Sequence, residues 1–215
     1  MINMSTFAQD RAEKYHQYRE LIVGDIAIRH AIPRMPEDEF LEFCMHNPDL
    51  HIEQDKYGNI LIMSPLSLFA GNLENEINTD LTLWSRKTQL GKSYSPSTLF
   101  ILPDGEKRMP DAAWISNEKI SLLSEKERNS FAHIVPDFIV ELKSPSDRPA
   151  DVDKKIRTVW IANGVQMAWY IDPDEQVSKV YLADGTVQVI QGFDKVLFGG
   201  NVLPGFEFHL SVLLI

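Results

Sequence analysis

The chain predicts a mixed α/β domain, and three observations carry that prediction. Phe138 to Lys143 and Met167 to Ile171 are short apolar runs that read as strands, and between them Val152, Ile156, Val159 and Trp160 recur on one helical stripe. Strand, helix and strand in that order imply a parallel pair joined by a right-handed crossover. Leu73, Ile77, Leu81 and Trp84 mark a second helix, while Val177 to Leu182 and Val187 to Gln191 form a hairpin across Asp184-Gly185.

Taken in order, residues 1–35 are polar and are assigned no more than an N-terminal arm or helix. A single domain is expected over 36–215, since no linker-like stretch divides it. Phe40, Leu41, Phe43 and Cys44 give a short amphipathic helix ending near Asn47-Pro48. His51 to Glu53 and Ile60 to Met63 then flank a turn at Tyr57-Gly58-Asn59. Gly91 is close enough to stop the Leu73 to Trp84 helix. Strands are expected from Leu99 to Leu102 and from Asp111 to Ile115, either side of a Pro103-Asp104-Gly105 turn. Residues 116–135 read as partly helical. Ser144, Ser146 and Asp147 are expected to cap the next helix or to meet a phosphate at its start, and Gly164 to cap its end.

The 215 residues carry a formal charge of −10. That balance argues against a broad nucleic-acid groove working by counterion release, but it leaves room for a carboxylate metal site with a local basic rim. Cys44 is the one cysteine, so no intramolecular disulfide can form. The charged start lacks a secretory h-region and no apolar run approaches the ~18 residues of a membrane span, so a cytoplasmic location is expected.

Chemistry concentrates in Pro136-Asp137-Phe138-Ile139-Val140-Glu141-Leu142-Lys143. On a strand, residues two apart share a face, so Glu141 and Lys143 project together while Phe138, Val140 and Leu142 pack on the other side. Glu141-Leu142-Lys143 is the one Glu-x-Lys in the chain. Asp153-Lys154-Lys155 has a similar pattern but falls on a helix, where such residues do not share a face. Joined to Asp111, the pair resembles a site for metal-dependent phosphodiester hydrolysis. A divalent cation lowers the pKa of bound water, and Mg²⁺ commonly takes one or two carboxylates. Asp111 and Glu141 would supply these, with the Leu142 carbonyl as a third oxygen and Lys143 orienting the water. The competing reading is a surface ion pair between Glu141 and Lys143, with Asp111 ending a turn. The six histidines show no zinc-like spacing, and the four tryptophans fall on apolar faces as core residues.

Arg108-Met109-Pro110-Asp111-Ala112-Ala113-Trp114, then Pro136 to Asp147, then Asn163-Gly164-Val165 and Trp169-Tyr170-Ile171-Asp172-Pro173 stand in an order that resembles the bacterial Uma-type family of putative restriction endonucleases, within the PD-(D/E)xK nuclease superfamily. The resemblance runs from about Pro36 to Leu214. It implies a restriction endonuclease-like mixed β-sheet flanked by helices, with a helical acid before the sheet that Glu76 matches. It further implies Asp111 and Glu141, joined by Glu76, as metal ligands beside the Leu142 carbonyl already noted, and Lys143 as the catalytic lysine. Relatives often carry a second lysine one turn before the position of Trp160. That place here is Ile156, with Lys155 and Arg157 as its neighbours.

The expected function is a Mg²⁺-dependent endonuclease, with Mn²⁺ as a substitute, acting on DNA as a homodimer. The alternative is a catalytically silent nuclease-fold module that binds a protein or nucleic-acid partner, and the net acidity suits a protein partner.

Overall fold

The computed structural model describes residues 35–214. The arm or helix expected over 1–35 therefore lies outside the described residues except for Met35, which is buried beside Phe40 and Phe43.

A six-stranded mixed sheet forms the centre. Its strands are β3 (Gly91–Tyr94), β6 (Ala112–Ser116), β8 (Phe138–Leu142), β9 (Met167–Asp172), β10 (Val177–Leu182) and β11 (Val187–Gln191), in the spatial order β11-β10-β9-β8-β6-β3. β8 and β9 run parallel, with Glu141 beside Tyr170 and Leu142 beside Ile171, as the strand-helix-strand pattern predicts. The remaining neighbours are antiparallel.

Alternation along these strands sorts side chains to two faces. Ala112, Trp114, Phe138, Val140, Trp169 and Ile171 pack against α2 (Leu68–Thr88) through Leu73, Ile77, Leu81 and Trp84. Ala113, Ile115, Ile139, Ala168 and Tyr170 pack on the opposite face against α5 (Pro149–Lys155) and its continuation, through Val152, Ile156, Val159 and Trp160. A small hairpin of β12 (Val196–Phe198) and β13 (Glu207–His209) closes the α2 side, where Phe206 stacks on Trp169 with centroids 5.7 Å apart.

A second sheet lies beside the first. It comprises β1 (Ile52–Gln54), β2 (Ile60–Ile62), β4 (Phe100–Ile101), β5 (Lys107–Arg108) and β7 (Ala132–His133), in the order β2-β1-β5-β4-β7. α1 (Glu37–His46) buries Phe40 and Phe43 against its Ile52 and against Leu99. The strand expected at Leu99 to Leu102 is thus β4, and it belongs to this sheet. The excursion at 116–135 holds the short helices α3 (Asn117–Ser121) and α4 (Glu125–Arg128).

Three local expectations are corrected. α2 ends at Gln89, left-handed with φ 56°, whose N–H bonds Ser85 O at 3.0 Å. Gly91 instead opens β3, where a Cβ would collide with the Ile115 carbonyl and the Trp114 indole. Ser144 and Asp147 do not cap α5: Asp147 Oδ2 closes a turn on the Ser144 N–H and hydroxyl at 2.9 and 2.7 Å, and Arg148 precedes the helix without a side-chain cap. The helix after β8 is also not α-helical throughout. It passes into a π-helical turn at Ile156–Trp160 and a 3-10 turn at Ile161–Asn163 before Gly164 ends it at φ 103°. Among the described residues, no helix is long and apolar enough to cross a membrane.

Candidate active site

Asp111 sits one residue before β6, at the point where Pro110, lacking an N–H, interrupts pairing with β8. Its own N–H donates to Val140 O at 3.1 Å, and its Oδ2 accepts from Leu142 N at 2.5 Å. The carboxylate therefore takes the place of a strand partner and is pinned beside Glu141. Since the Val140 carbonyl points toward Asp111, the Leu142 carbonyl two residues on projects the same way, past the start of β6.

Glu141 is buried on the α5 face. Lys155 Nζ lies 2.9 Å from Oε1 and 3.0 Å from Oε2, and Trp160 Nε1 donates to Oε1 at 2.6 Å. The π-helical turn explains how both reach it. In an α-helix residues five apart diverge by about 140°, whereas i→i+5 bonding stacks them on successive turns. The lysine one turn before Trp160 is thus Lys155.

These groups perturb each other. Burial first, and then the Glu141 charge, hold the Asp111 carboxyl well above the usual carboxylate range, against the pull of the Leu142 amide and Lys155. Burial also raises Glu141, although Lys155 and the Trp160 hydrogen bond oppose it. Burial works against the Lys155 charge, but Glu141 and Glu53 outweigh it and raise its pKa.

The neighbouring sheet braces this centre. Glu53 Oε1 accepts from Met109 N at 2.7 Å, and its Oε2 meets Arg108 Nη1 at 2.8 Å. Arg108 in turn holds the buried Glu106 at 2.7 Å. Two buried carboxylates on one guanidinium fix the backbone that leads into Asp111.

α2 supplies a third acid. Asn78 Nδ2 donates to the Asp111 carbonyl at 2.8 Å, and Glu74, one turn earlier, lines a cleft with Asp111, Leu142 and Lys143. Burial raises the Glu74 pKa, and the Glu74 charge contributes to the shift at Asp111.

The model of a family described as "Putative restriction endonuclease", Uma2, matches residues 37–212. The chain belongs to the Uma2 family. Among solved structures it is similar to a putative nuclease of the DUF820 group from Anabaena variabilis, with 21% identity over 75% of this chain and 88% of that one and a TM-score of 0.63. A DrdV–DNA complex aligns at 12% identity over 53% of this chain and 9% of that one, with a TM-score of 0.36. No curated protein matches. The Uma2 assignment supports a nuclease, and the DUF820 likeness supports the mixed sheet flanked by helices.

Within this Uma2 domain, the sequence-predicted residues divide. Asp111, Glu141 and Leu142 come together. Lys143 lies past the end of β8 and leaves Glu141, its Nζ lying 3.6 Å from Asp172 and 3.2 Å from Asp174 while its stem lines the cleft. Glu76 is two residues beyond Glu74, about 200° around α2, and is not among the residues lining the cleft. Sequence reasoning gave Lys155, Trp160, Glu74 and Glu53 no role in the site, reading Lys155 only as a neighbour of Ile156, Trp160 as core and Glu74 as a solvated residue beside the apolar stripe. The apolar stripe marked the helix holding Lys155 and Trp160, but only an i→i+5 spacing puts them together.

The donor set fits a hard divalent cation. Asp111, Glu141 and the Leu142 carbonyl are oxygen donors at the ends of two adjacent strands, and Mg²⁺ commonly needs only one or two carboxylates. Among the described residues, no three His, Cys, Asp or Glu side chains are grouped so that they could hold a metal ion, so the set is two carboxylates and a carbonyl.

Proposed function

We propose that this protein is a Mg²⁺-dependent endonuclease that hydrolyses DNA phosphodiester bonds, with Mn²⁺ as a substitute. The observation that carries the reading is the convergence of Asp111 and Glu141 with Lys155 at the end of two adjacent strands. Two acids with raised pKa values cost free energy that a catalytic site, rather than a packed core, has reason to retain. Asp111, Glu141 and the Leu142 carbonyl hold the cation, and Glu74, rather than Glu76, stands nearest as the helical acid. A bound cation supplies a water of lowered pKa and neutralises phosphate charge. Lys155 holds Glu141 ionised and presents an ammonium beside the scissile phosphate, while Lys143 lines the cleft mouth.

Purified protein is incubated with plasmid and short duplexes in Mg²⁺ or Mn²⁺, beside Asp111→Ala and Lys155→Met. Cleavage that disappears in both variants is expected, and cleavage unchanged in both overturns the reading. A homodimer would place two such centres on one duplex, and light scattering tests it.

One observation favours the silent module. Both Glu141 oxygens are already occupied by Lys155 and Trp160, so a cation must displace or share those contacts. Calorimetry with Mg²⁺ separates the two: binding abolished by Asp111→Ala supports the enzyme, and no binding supports the module.

A further inference from the structure

A groove of about 590 Å³ runs beside the cleft, between α2 and the edge strand β3. At 100° per residue, Glu74, Asn78, Gly71, Thr82, Asn75 and Arg86 fall within an arc of about 120° on α2. All six line the groove. That arc lies outside the apolar stripe of Leu73, Ile77, Leu81 and Trp84, so one helix has a core face and a separate polar face.

The groove and the cleft beside Asp111 share Glu74, which lines both. Among the described residues Glu74 is also the sole acid lining the groove, and it stands at the cleft end. Arg86 and Lys92 stand at the other end, exposed and without an ion-pair partner among the described residues. In a chain of net charge −10, this is a local cationic terminus on a trough that is uncharged between its two ends. Between the ends are hydroxyl and amide groups able to donate to phosphate oxygens: Asn75, Thr82, and Ser93 and Ser95 across the groove. Ser93 and Thr82 hydroxyls bridge the floor at 2.8 Å. Gly71 adds a further sign. Among the described residues a Cβ there would meet nothing within 4 Å, so none of their packing requires glycine inside this helix, and open space is left for a ligand to approach the backbone.

We propose that this groove holds one polynucleotide strand leading away from the Asp111 centre, with Arg86 and Lys92 meeting its phosphates at the far end. The inference rests on the nuclease reading and adds the path of the substrate. Glu74 and Arg86 are separated by about 18 Å along the helix, or about five nucleotides at ~3.4 Å each. A trough walled by one helix and one strand admits a single backbone, whether from a free strand or from one strand of a duplex.

Fluorescence anisotropy in EDTA, with no cleavage possible, tests it using a labelled 12-nucleotide single strand and the matching duplex. The double variant Arg86→Glu/Lys92→Glu is expected to weaken binding of at least one of them tenfold or more. It also lowers the salt slope by about 1.4 for a single strand, at about 0.7 for each phosphate that is no longer neutralised. Lys87→Glu, on the far side of α2, changes affinity less than twofold. Gly71→Ala keeps the melting temperature or raises it but weakens binding. Equal losses in the Lys87 control, undiminished binding in the double variant, or no binding by the native protein overturns the proposal. Because binding is read without metal, loss of the groove with cleavage still dependent on Asp111 leaves the nuclease reading standing. Groove-dependent binding without cleavage does the reverse.

Discussion

Lys155 and Trp160, five residues apart on one helical segment, close on the same carboxylate: Nζ lies 2.9 Å from Glu141 Oε1 and Nε1 donates to it at 2.6 Å. The π-helical turn at Ile156–Trp160 makes this possible. π turns are rare and are frequently found at functional sites. The lysine of this site thus comes from the helix, while the lysine of the Glu-x-Lys motif is engaged elsewhere.

Lys155→Met leaves Glu141 buried beside Glu53 without its cation. The expected loss of stability is about 3 kcal/mol at neutral pH, at the low end for a buried pair because Lys155 keeps some exposure. The loss shrinks as pH falls and the lone Glu141 takes up a proton. Cleavage is expected to drop by about 10²–10³, as for the loss of one electrostatic stabiliser. Lys143→Ala, which removes the ion pairs with buried Asp172 and exposed Asp174 but none with Glu141, is expected to lower cleavage less than tenfold. Denaturant melts at two pH values and initial cleavage rates check both, and a larger rate loss at Lys143 than at Lys155 reverses the assignment.

Asp111→Asn keeps an acceptor for the Leu142 amide but removes a carboxylate held well above its ordinary pKa by burial and by Glu141. A raised folded-state pKa means that the native protein binds the proton more tightly than the unfolded chain does. That contribution is fully present below the unfolded carboxylate value of about 4 and is lost as pH rises through the folded one. Asp111→Asn should therefore melt higher than the native protein at pH 7, by about 2–4 °C for each kcal/mol relieved. The gain should disappear near pH 4. Mg²⁺ should raise the melting temperature of the native protein and leave the variant unmoved. A variant less stable at pH 7 contradicts the argument.

Much of the fold is legible because it follows from period. Alternation along β8 and β9 and the stripe in α2 are direct consequences of burying one face, and the Glu141 position follows from them. Asp111 is legible through the resemblance and not through Pro-Asp, which recurs at Pro48, Pro103, Pro136 and Pro173. What fails to show is anything set by local departures from period. Reading 3.6 residues per turn through Ile156–Trp160 puts Ile156 where Lys155 belongs. Reading Lys143 as strand ignores that β8 stops at Leu142, where Asp172 and Asp174 offer it nearer charges. Glu74 and Glu76 are separable only by which arc of α2 faces Asp111, a tertiary fact. Glu53 has no sequence signal at all, because its partners Arg108 and Met109 come from another strand.

Glu74→Gln and Glu76→Gln distinguish the two helical acids. Glu74 lines the cleft beside Asp111 and burial already raises its pKa. Its neutralisation should weaken Mg²⁺ binding by about 10–100-fold, the range for groups that orient or supplement metal ligands, and should also lower the pKa of Asp111. Glu76→Gln should leave both unchanged. Calorimetric Mg²⁺ titration of the two proteins checks this, and equal effects from both remove Glu74 from the site.

Trp160→Phe preserves the ring in the α5-side core while deleting one hydrogen bond to ionised Glu141. The cost in stability is about 1.5–3 kcal/mol, as for a hydrogen bond to a charged group. The more diagnostic effect is on pH. The indole N–H favours the carboxylate form, so its loss raises the Glu141 pKa further from its already raised position. If Glu141 must be ionised to hold the cation, the acidic limb of the cleavage–pH profile shifts to higher pH. The plateau at alkaline pH changes much less, because there Glu141 is ionised in both proteins. A purely structural role for Trp160 predicts the opposite pattern, with activity lowered by a constant factor at every pH. Measuring the profile from pH 5 to 9 on protein shown to be folded by circular dichroism decides between them.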